Sequence, residues 1–213
     1  MATIIHSLSD MVSPRPTALI PIAHSHACLL FELPYQADGS EEIEVVSLYA
    51  VMARAGVRVT LAAVSEDRVD HIVTLMQGTM IQADESIEHC VNDEYDVIVV
   101  PGGSGAKILG ACATLTDLLR KQKASGKLFG GICAGPVDVL YHNALINGPV
   151  TCLPDYRAPL GDLFVDEAVV VSGNCVTSQS PGTAITMALT LVELLRGEKT
   201  AHDLAKNLSV CTK

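Results

Sequence analysis

The sequence predicts an α/β fold: one domain built on a mostly parallel sheet that helices cover on both faces. Short apolar runs typical of buried strands alternate with helical patterns over most of the chain, as such a sheet requires. Apolar residues make up 49% of the 213 residues and aromatic residues only 4%, so Val, Leu, Ile and Ala must form the core. A chain of this length buries roughly 70% of its unfolded surface and can fold without disulfides or a metal.

Charge and cysteine content exclude several classes of partner. The net charge is −10 and Lys and Arg form no cluster, which argues against nucleic acid and anionic membrane surfaces. The seven cysteines show neither a CxxC motif nor a Cys/His metal spacing. We therefore expect free thiols, a cytoplasmic location and no metal site. No apolar run reaches the roughly 18 residues that span a bilayer, so we expect a soluble protein.

Residues 1–26 are predicted to form an N-terminal extension to a single domain over 27–213. Their Ser-, Pro- and His-rich composition is similar to that of an organelle transit peptide. A poorly packed extension is the interpretation that we favour. The first strand is expected at 27–33 (ACLLFEL), where an apolar run ends at a proline.

A helix is predicted after the polar turn that follows. Ile43, Val46 and Tyr49 recur at helical spacing, and Gly56 stands where a left-handed residue would end the helix. Residues 57–64 then form a strand. The helix and this strand make the first repeat of the α/β pattern.

The middle of the chain predicts a buried central strand. Short strands are expected over 71–83, with a brief helix starting near Asp84. The apolar run 95–100 (YDVIVV) ends at the loop Pro101-Gly102-Gly103, as a fully buried strand does. A helix over 107–123 follows.

The last third predicts a strand that leads into a cysteine, then a hairpin. Residues 127–132 form a buried strand, and a helix over 134–142 follows Cys133 directly. Gly173-Asn174 between two β-branched runs is a two-residue hairpin signal. Ser180-Pro181-Gly182 precedes a last long helix.

Cys133 is the candidate reactive residue. It lies between a strand and a helix, at the sheet edge where α/β folds bind ligands, so its sulfur is expected near unpaired amide N–H groups that favour the thiolate. The small neighbours in a tight turn would leave its side chain exposed, as in a nucleophile elbow. The alternative is a buried, inert cysteine that fills the core.

Two further elements end at the same edge. Glu41, Glu42 and Glu44 begin the first helix, and a carboxylate beside a thiolate would share a proton with it and have a raised pKa. Complementarity to the helix dipole is the alternative. The glycines of the loop 101–105 allow backbone N–H groups to converge on an oxyanion, although glycines often serve only to turn the chain.

Four motifs occur in one order along the chain: GSEEIE at 39–44, VVPGG at 99–103, GGICAGP at 130–136 and TSQSPGTA at 177–184. Through them the chain resembles the ThiJ/PfpI superfamily, and specifically its parkinsonism-associated branch, over about residues 27 to 208. The resemblance implies a flavodoxin-like three-layer sandwich, a homodimer and no cofactor.

The resemblance also implies a set of site residues. Cys133 would be the nucleophile, Glu44 its carboxyl partner, and the N–H groups of Gly103 and Ala134, beside Gly102, would receive the substrate oxygen. Protease-like members carry a His directly after the nucleophile, where this chain has Ala134, so proteolysis is disfavoured.

Three positions depart from the branch pattern. Some members line the pocket with a His and two Arg, and the matching positions here are Leu153, Gln77 and Gln179. These replacements alter the charge of the pocket.

The function that the resemblance implies is a cofactor-independent glyoxalase or deglycase, a hydro-lyase or hydrolase. Its substrates would be α-oxoaldehydes, with methylglyoxal giving lactate, or their early adducts with proteins or nucleotides. The alternative is a redox-sensing stress protein or chaperone in which Cys133 is oxidised to a sulfinic acid beside protonated Glu44. A role in thiazole monophosphate synthesis ranks last, because no phosphate loop or nucleotide fingerprint accompanies the motifs.

Overall fold

The computed structural model of the chain describes residues 14–24, 39–64 and 71–210. The strands in these ranges are β1 Thr17–Ala23, β2 Arg58–Val64, β3 Ile72–Thr74, β4 Met80–Gln82, β5 Glu85–Ser86, β6 Val97–Val100, β7 Leu128–Ile132, β8 Val169–Ser172 and β9 Cys175–Ser178. Seven of them form one sheet in the order β5-β2-β1-β6-β7-β9-β8. All neighbours in it run parallel except β8, which is antiparallel to β9. The predicted mostly parallel, flavodoxin-like sheet is confirmed.

Strand β1 corrects the predicted domain boundary. It lies inside the segment 1–26 that we expected to be a poorly packed extension, yet it pairs with both β2 and β6 and is buried along almost its whole length. Pro21 argues against a central strand because it lacks an N–H donor. It is accommodated here because the pairing with β6 covers only Ala18 and Leu19. The strand expected at 27–33 lies outside the described residues.

Helices cover the sheet on both faces. Alternate side chains of β1 point to opposite sides, so Ile20 belongs to the cluster under one layer of helices and Leu19 to the cluster under the other. The helices are α1 Glu42–Arg54, α2 Ala106–Ala111, α3 Ala113–Ala124, α4 Ala184–Arg196 and α5 Glu198–Asn207, with a π-helical segment at Pro136–Tyr141. The first cluster packs under α1, α4 and α5, and the second under α2, α3 and the π-helical segment.

Helix α1 is present as predicted, but its regular apolar stripe faces outward. Ile43, Val46 and Tyr49 are 57%, 49% and 40% exposed. The face against the core instead carries Val45 and Leu48, together with other buried residues of the helix. Helical spacing identifies a helix correctly but does not tell which apolar face is buried.

Two predicted helices are divided. The helix expected over 107–123 is interrupted at Cys112, whose extended backbone ends α2 and whose sulfur accepts a hydrogen bond from Leu115 N (3.5 Å) at the start of α3. The last helix is divided at Gly197, where φ is 86°. By contrast, the Gly173-Asn174 hairpin joins β8 to β9 as predicted. Within the described residues, no helix combines the length and apolar character that crossing a membrane requires.

Candidate active site

Cys133 occupies a tight turn between β7 and the π-helical segment. Its φ of 62° is a conformation that residues with side chains rarely adopt, which is the geometry expected of an elbow. The backbone is held on both sides: Cys133 N donates to Ser178 O (3.0 Å), and Leu153 N donates to Cys133 O (2.9 Å). Backbone strain kept in place by its surroundings is typical of functional sites.

The side chain of Cys133 is buried, which corrects two expectations. The residue is only 7% exposed, so the turn does not present it to solvent. Its pKa is raised to about 12, first by burial and then by the charge of Glu44. The N–H groups of Gly103 and Ala134 act on the sulfur in the opposite direction, but they do not outweigh these causes. Burial therefore favours the thiol form of Cys133, in the opposite direction to the lowered pKa that we expected.

Glu44 is fully buried against this thiol. Its Oε2 accepts a hydrogen bond from Gly102 N (2.6 Å), and the carboxyl group also forms a hydrogen bond with the side chain of Cys133. Burial raises the pKa of Glu44 to about 7. The direction is the one that we expected for a carboxyl beside Cys133, but its first cause is burial rather than repulsion by the sulfur, and the hydrogen bond with Cys133 acts in the opposite direction. Near neutral pH the pair can therefore gain or lose a proton.

Gly102 is the point at which the site converges. A Cβ placed on Gly102 would lie 2.7 Å from Cys133 Cβ, 2.9 Å from Ala134 N and 3.0 Å from Glu44 Oε2. Only glycine allows the loop to approach so closely. Its N–H group is bonded to Glu44, so this bond would have to open before the Gly102 N–H could bind a substrate as predicted. Gly102 instead orients the carboxyl group.

Gly103 and Ala134 lie beside the sulfur of Cys133. Both N–H groups interact with the sulfur of Cys133, one from the loop after β6 and the other from the turn itself. Gly103 adopts a φ of 82°, and a side chain there would collide with Glu41 N at 2.7 Å. Two donors thus lie where a negative charge on or beside the sulfur would be received.

Glu41 is a site residue that the sequence did not single out from its neighbours. It is 8% exposed, and its Oε2 accepts a hydrogen bond from Glu44 N (2.8 Å), so it caps α1. Burial raises its pKa. Its position three residues before Glu44, at a helix start, was the available signal. Glu42 turns away and accepts from Gln77 N (2.6 Å) in the loop after β3.

The three positions that depart from the branch pattern lie in different surroundings. Leu153 is half-buried, packs against the core cluster that contains Cys133 and bonds to the Cys133 carbonyl. The amide of Gln179 donates to Asp166 Oδ1 (2.7 Å). Gln77 is exposed. Among the described residues, no basic side chain contributes to the pKa of Cys133 or Glu44.

Two clefts lie at the opposite end of the sheet from Cys133. One, of about 270 Å³, is lined by Lys123, Phe129 and Cys175, among others. The other, of about 400 Å³, includes Tyr95 and Gln122. We place the candidate site at Cys133 nevertheless, because the strained turn and the buried pair are found there. In the described part of the chain, no three His, Cys, Asp or Glu side chains are grouped to hold a metal ion.

Comparisons of sequence and of structure with known proteins point to the same group of relatives. Residues 33–194 match the DJ-1/PfpI family. The chain is 36% identical over 174 residues to the glutathione-independent glyoxalase DJR-1.2 of Caenorhabditis elegans, covering 80% of this chain and 91% of the relative. It is 34% identical over 178 residues to protein dj-1beta of Drosophila melanogaster, covering 82% and 94%. The solved structure of oxidized Toxoplasma gondii DJ-1 matches with a TM-score of 0.82 at 34% identity, covering 92% of this chain and all (100%) of that chain.

Proposed function

The chain belongs to the DJ-1/PfpI family, and from this premise we propose that it is a cofactor-independent glyoxalase in which Cys133 is the nucleophile and Glu44 carries protons. The substrates are α-oxoaldehydes, with methylglyoxal converted to lactate, or the early adducts that these aldehydes form with proteins and nucleotides. A C. elegans relative bears the name of a glyoxalase that needs no glutathione. The five described cysteines are free thiols, in keeping with a reducing compartment such as the cytoplasm.

One observation carries the proposal: a buried carboxyl with a pKa of about 7 lies against a thiol in a strained turn. A general base works best when its pKa is near the working pH. Above pH about 7 the pair carries one negative charge, and its remaining proton is shared between carboxylate and sulfur.

The first step forms a carbon–sulfur bond. The sulfur of Cys133 adds to the aldehyde carbon while its proton passes to the Glu44 carboxylate. The aldehyde oxygen becomes an oxyanion, which the N–H groups of Gly103 and Ala134 receive. Return of the proton to this oxygen gives a hemithioacetal, and Glu44 is again a carboxylate.

The second step moves a proton within the adduct. Glu44 takes the proton from the former aldehyde carbon and delivers it to the neighbouring carbonyl carbon, while the hydroxyl proton of the hemithioacetal passes to the oxygen on that neighbouring carbon. The product is a lactoyl thioester on Cys133. Water hydrolyses the thioester to lactate and restores the thiol. One carbon is oxidised while its neighbour is reduced, so no external oxidant enters.

The test measures lactate formed from methylglyoxal. We expect Cys133→Ala to form none and Glu44→Gln, which keeps an acceptor for Gly102 N, to lose roughly 100-fold or more of the rate. Cys112→Ala, which changes a half-buried cysteine outside the site, should retain the wild-type rate. Lactate formation by Cys133→Ala at the wild-type rate would overturn the proposal.

A redox-sensing stress protein or chaperone is the second candidate. The two N–H groups at the sulfur and a protonated Glu44 offer three donors to the oxygens of a sulfinate. The Toxoplasma relative was solved in an oxidized form. Two equivalents of peroxide would convert the thiol to a sulfinic acid and release two waters. Oxidation of Cys133 that depends on Glu44, with negligible lactate from the wild type, would favour this candidate.

The partner that we propose is a second copy of the chain. Ile43, Val46 and Tyr49 form an exposed apolar stripe on α1, the helix that also carries Glu44. Met80 on β4 is 70% exposed and Ile185 on α4 is 40% exposed, and α4 packs against α1. An apolar surface of this kind is typical of a protein interface.

A further inference from the structure

A closed ring of three hydrogen bonds joins the start of α1 to the loop after β6. Gly102 N donates to Glu44 Oε2 (2.6 Å), Glu44 N donates to Glu41 Oε2 (2.8 Å), and Glu41 N donates to Gly102 O (3.2 Å). Each residue of the ring is held by the other two. Glu41 is therefore part of the frame that keeps the Glu44 carboxyl against Cys133.

Glu41 also places a second acidic group in the site. Both side chains are buried, and burial leaves little water to screen one charge from the other. After burial, the charge of Glu41 is among the causes that raise the pKa of Glu44. A neighbouring negative charge disfavours ionisation of a carboxyl group.

We propose that Glu41 is a positioning residue that holds the Glu44 carboxyl at Cys133 and, through its negative charge, sets the pH above which the reaction runs. This inference rests on the proposed function and deepens it. Glu41 does not touch the substrate. Its charge raises the pH at which the Cys133–Glu44 pair loses its first proton, and its side-chain oxygen keeps the ring of hydrogen bonds closed.

The other titratable groups around the ring act from different directions. Glu42 lies in the same helical turn and raises the pKa of Glu41, while its own carboxylate is bonded to the loop after β3. Cys133 faces Glu44 from the turn after β7. His24, at the end of β1, accepts a hydrogen bond from Thr74 N (3.0 Å). Among these, only Glu41 bonds to the backbone of Glu44.

The experiment measures alkylation of Cys133 by iodoacetamide between pH 5 and 9, with mass spectrometry to distinguish it from Cys112. Glu41→Gln keeps the oxygen that accepts from Glu44 N but removes the charge. The alkylation rate of Cys133 should rise with pH to a plateau; we call this rise the rising limb. In Glu41→Gln we expect the rising limb to move to lower pH by about one unit, with the same plateau at high pH. At pH 6, where the wild-type pair is mostly protonated, the variant should react about five-fold faster. Lactate formation should shift in parallel.

Two further variants decide the outcome. Glu42→Gln, with one charge removed from the same turn, should leave the limb in place, and Glu41→Asp, which keeps the charge, should stay close to the wild type. The inference would be overturned if the alkylation rate of Glu41→Gln rose at the same pH as that of the wild type, or if it were lowered by the same factor at every pH. A shifted alkylation limb in a protein that forms no lactate would support the role of Glu41 and remove the proposed function.

Discussion

At the scale of single residues, burial decides the chemistry of this site. Cys133 and Glu44 each have a raised pKa because both lie away from water, although backbone N–H groups act on both in the opposite direction. The pair therefore holds its protons to higher pH than either group would in solvent. We therefore expect reactivity to depend on transfer of a proton within the pair rather than on a thiolate that is present at rest.

Stability should depend on pH through Glu44. Its pKa rises from 4.5 to about 7, so the folded state binds the proton more tightly than the unfolded chain does. The resulting stabilisation is complete below pH 4.5 and is lost as the pH rises through 7, by about 3 kcal/mol. In Glu44→Gln the free energy of unfolding should not fall in this way between pH 4.5 and pH 8. Urea unfolding of the variant and the wild type at both pH values measures the difference. Glu42→Gln controls for net charge, and equal losses in Glu44→Gln and the wild type would contradict the expectation.

The close approach at Gly102 predicts a damaging substitution. In Gly102→Ala the added methyl group would lie 2.7 Å from Cys133 Cβ, so the loop must move and the bond to Glu44 must lengthen. We expect lactate formation to fall at least ten-fold and the free energy of unfolding to drop by about 1–3 kcal/mol. In the control Gly182→Ala the nearest atom is 3.9 Å away. Similar losses in both variants would show that crowding at Gly102 is not the cause.

At the scale of elements, the site depends on strands and turns that arrive from separate parts of the chain. β6 ends in the loop that orients Glu44, β7 ends in Cys133, and the carbonyl of Ser178 at the end of β9 holds the turn. Ala23 and Ser40 lie on either side of residues 25–38, and two hydrogen bonds join them. Ser40 N donates to Ala23 O (3.2 Å), and Ala23 N donates to Ser40 Oγ (3.0 Å). Strand β1 and helix α1 thus meet directly at the site edge.

Removal of residues 1–24 should prevent folding. Strand β1 lies between β2 and β6, and Leu19, Ile20 and Ile22 on it are fully buried. The truncated chain should lose cooperative thermal unfolding followed by circular dichroism. Removal of residues 1–13 leaves β1 complete and should preserve the transition. A cooperative transition in the longer deletion would mean that β1 is dispensable.

At the scale of the whole molecule, the apolar stripe on α1 places a surface beside the site. Ile43 is next to both Glu42 and Glu44 in sequence, so the face that we propose for a second chain and the carboxyl that we propose for catalysis share one helical turn. Pairing of chains would therefore restrain the turn that positions Glu44. In the proposed dimer, assembly would be linked to the geometry of the site.

We expect light scattering at micromolar concentration to give the mass of two chains. Val46→Glu places a charge in the stripe and should give the mass of one chain, because burial of an unpaired carboxylate in an interface is costly. Val171→Glu is the control, since Val171 is also exposed, at 46%, but lies on the edge strand β8. A wild-type protein with the mass of one chain would contradict the proposed dimer.

The sequence by itself determined the features that depend on local chemistry. Glycine and β-branched residues marked the hairpin at Gly173-Asn174, and an apolar run followed by glycines marked the central strand and its loop. Small residues around Cys133 marked the tight turn. Each of these signals is contained in a few consecutive residues, because turns and strands are governed by the conformations that those residues allow.

The tertiary structure decided what depends on contacts between distant residues. The N–H of Gly102 is taken by Glu44, which lies 58 positions away in the chain, so no local pattern could assign that amide to the carboxyl rather than to a substrate. The burial that favours the thiol form of Cys133 arises from several elements together. The composition of residues 1–26 predicted an extension, and only the pairing of β1 with β2 and β6 shows that this segment contains a central strand. Burial and pairing are properties of the assembled core, and for that reason the sequence indicated where the site lies but not its charge state.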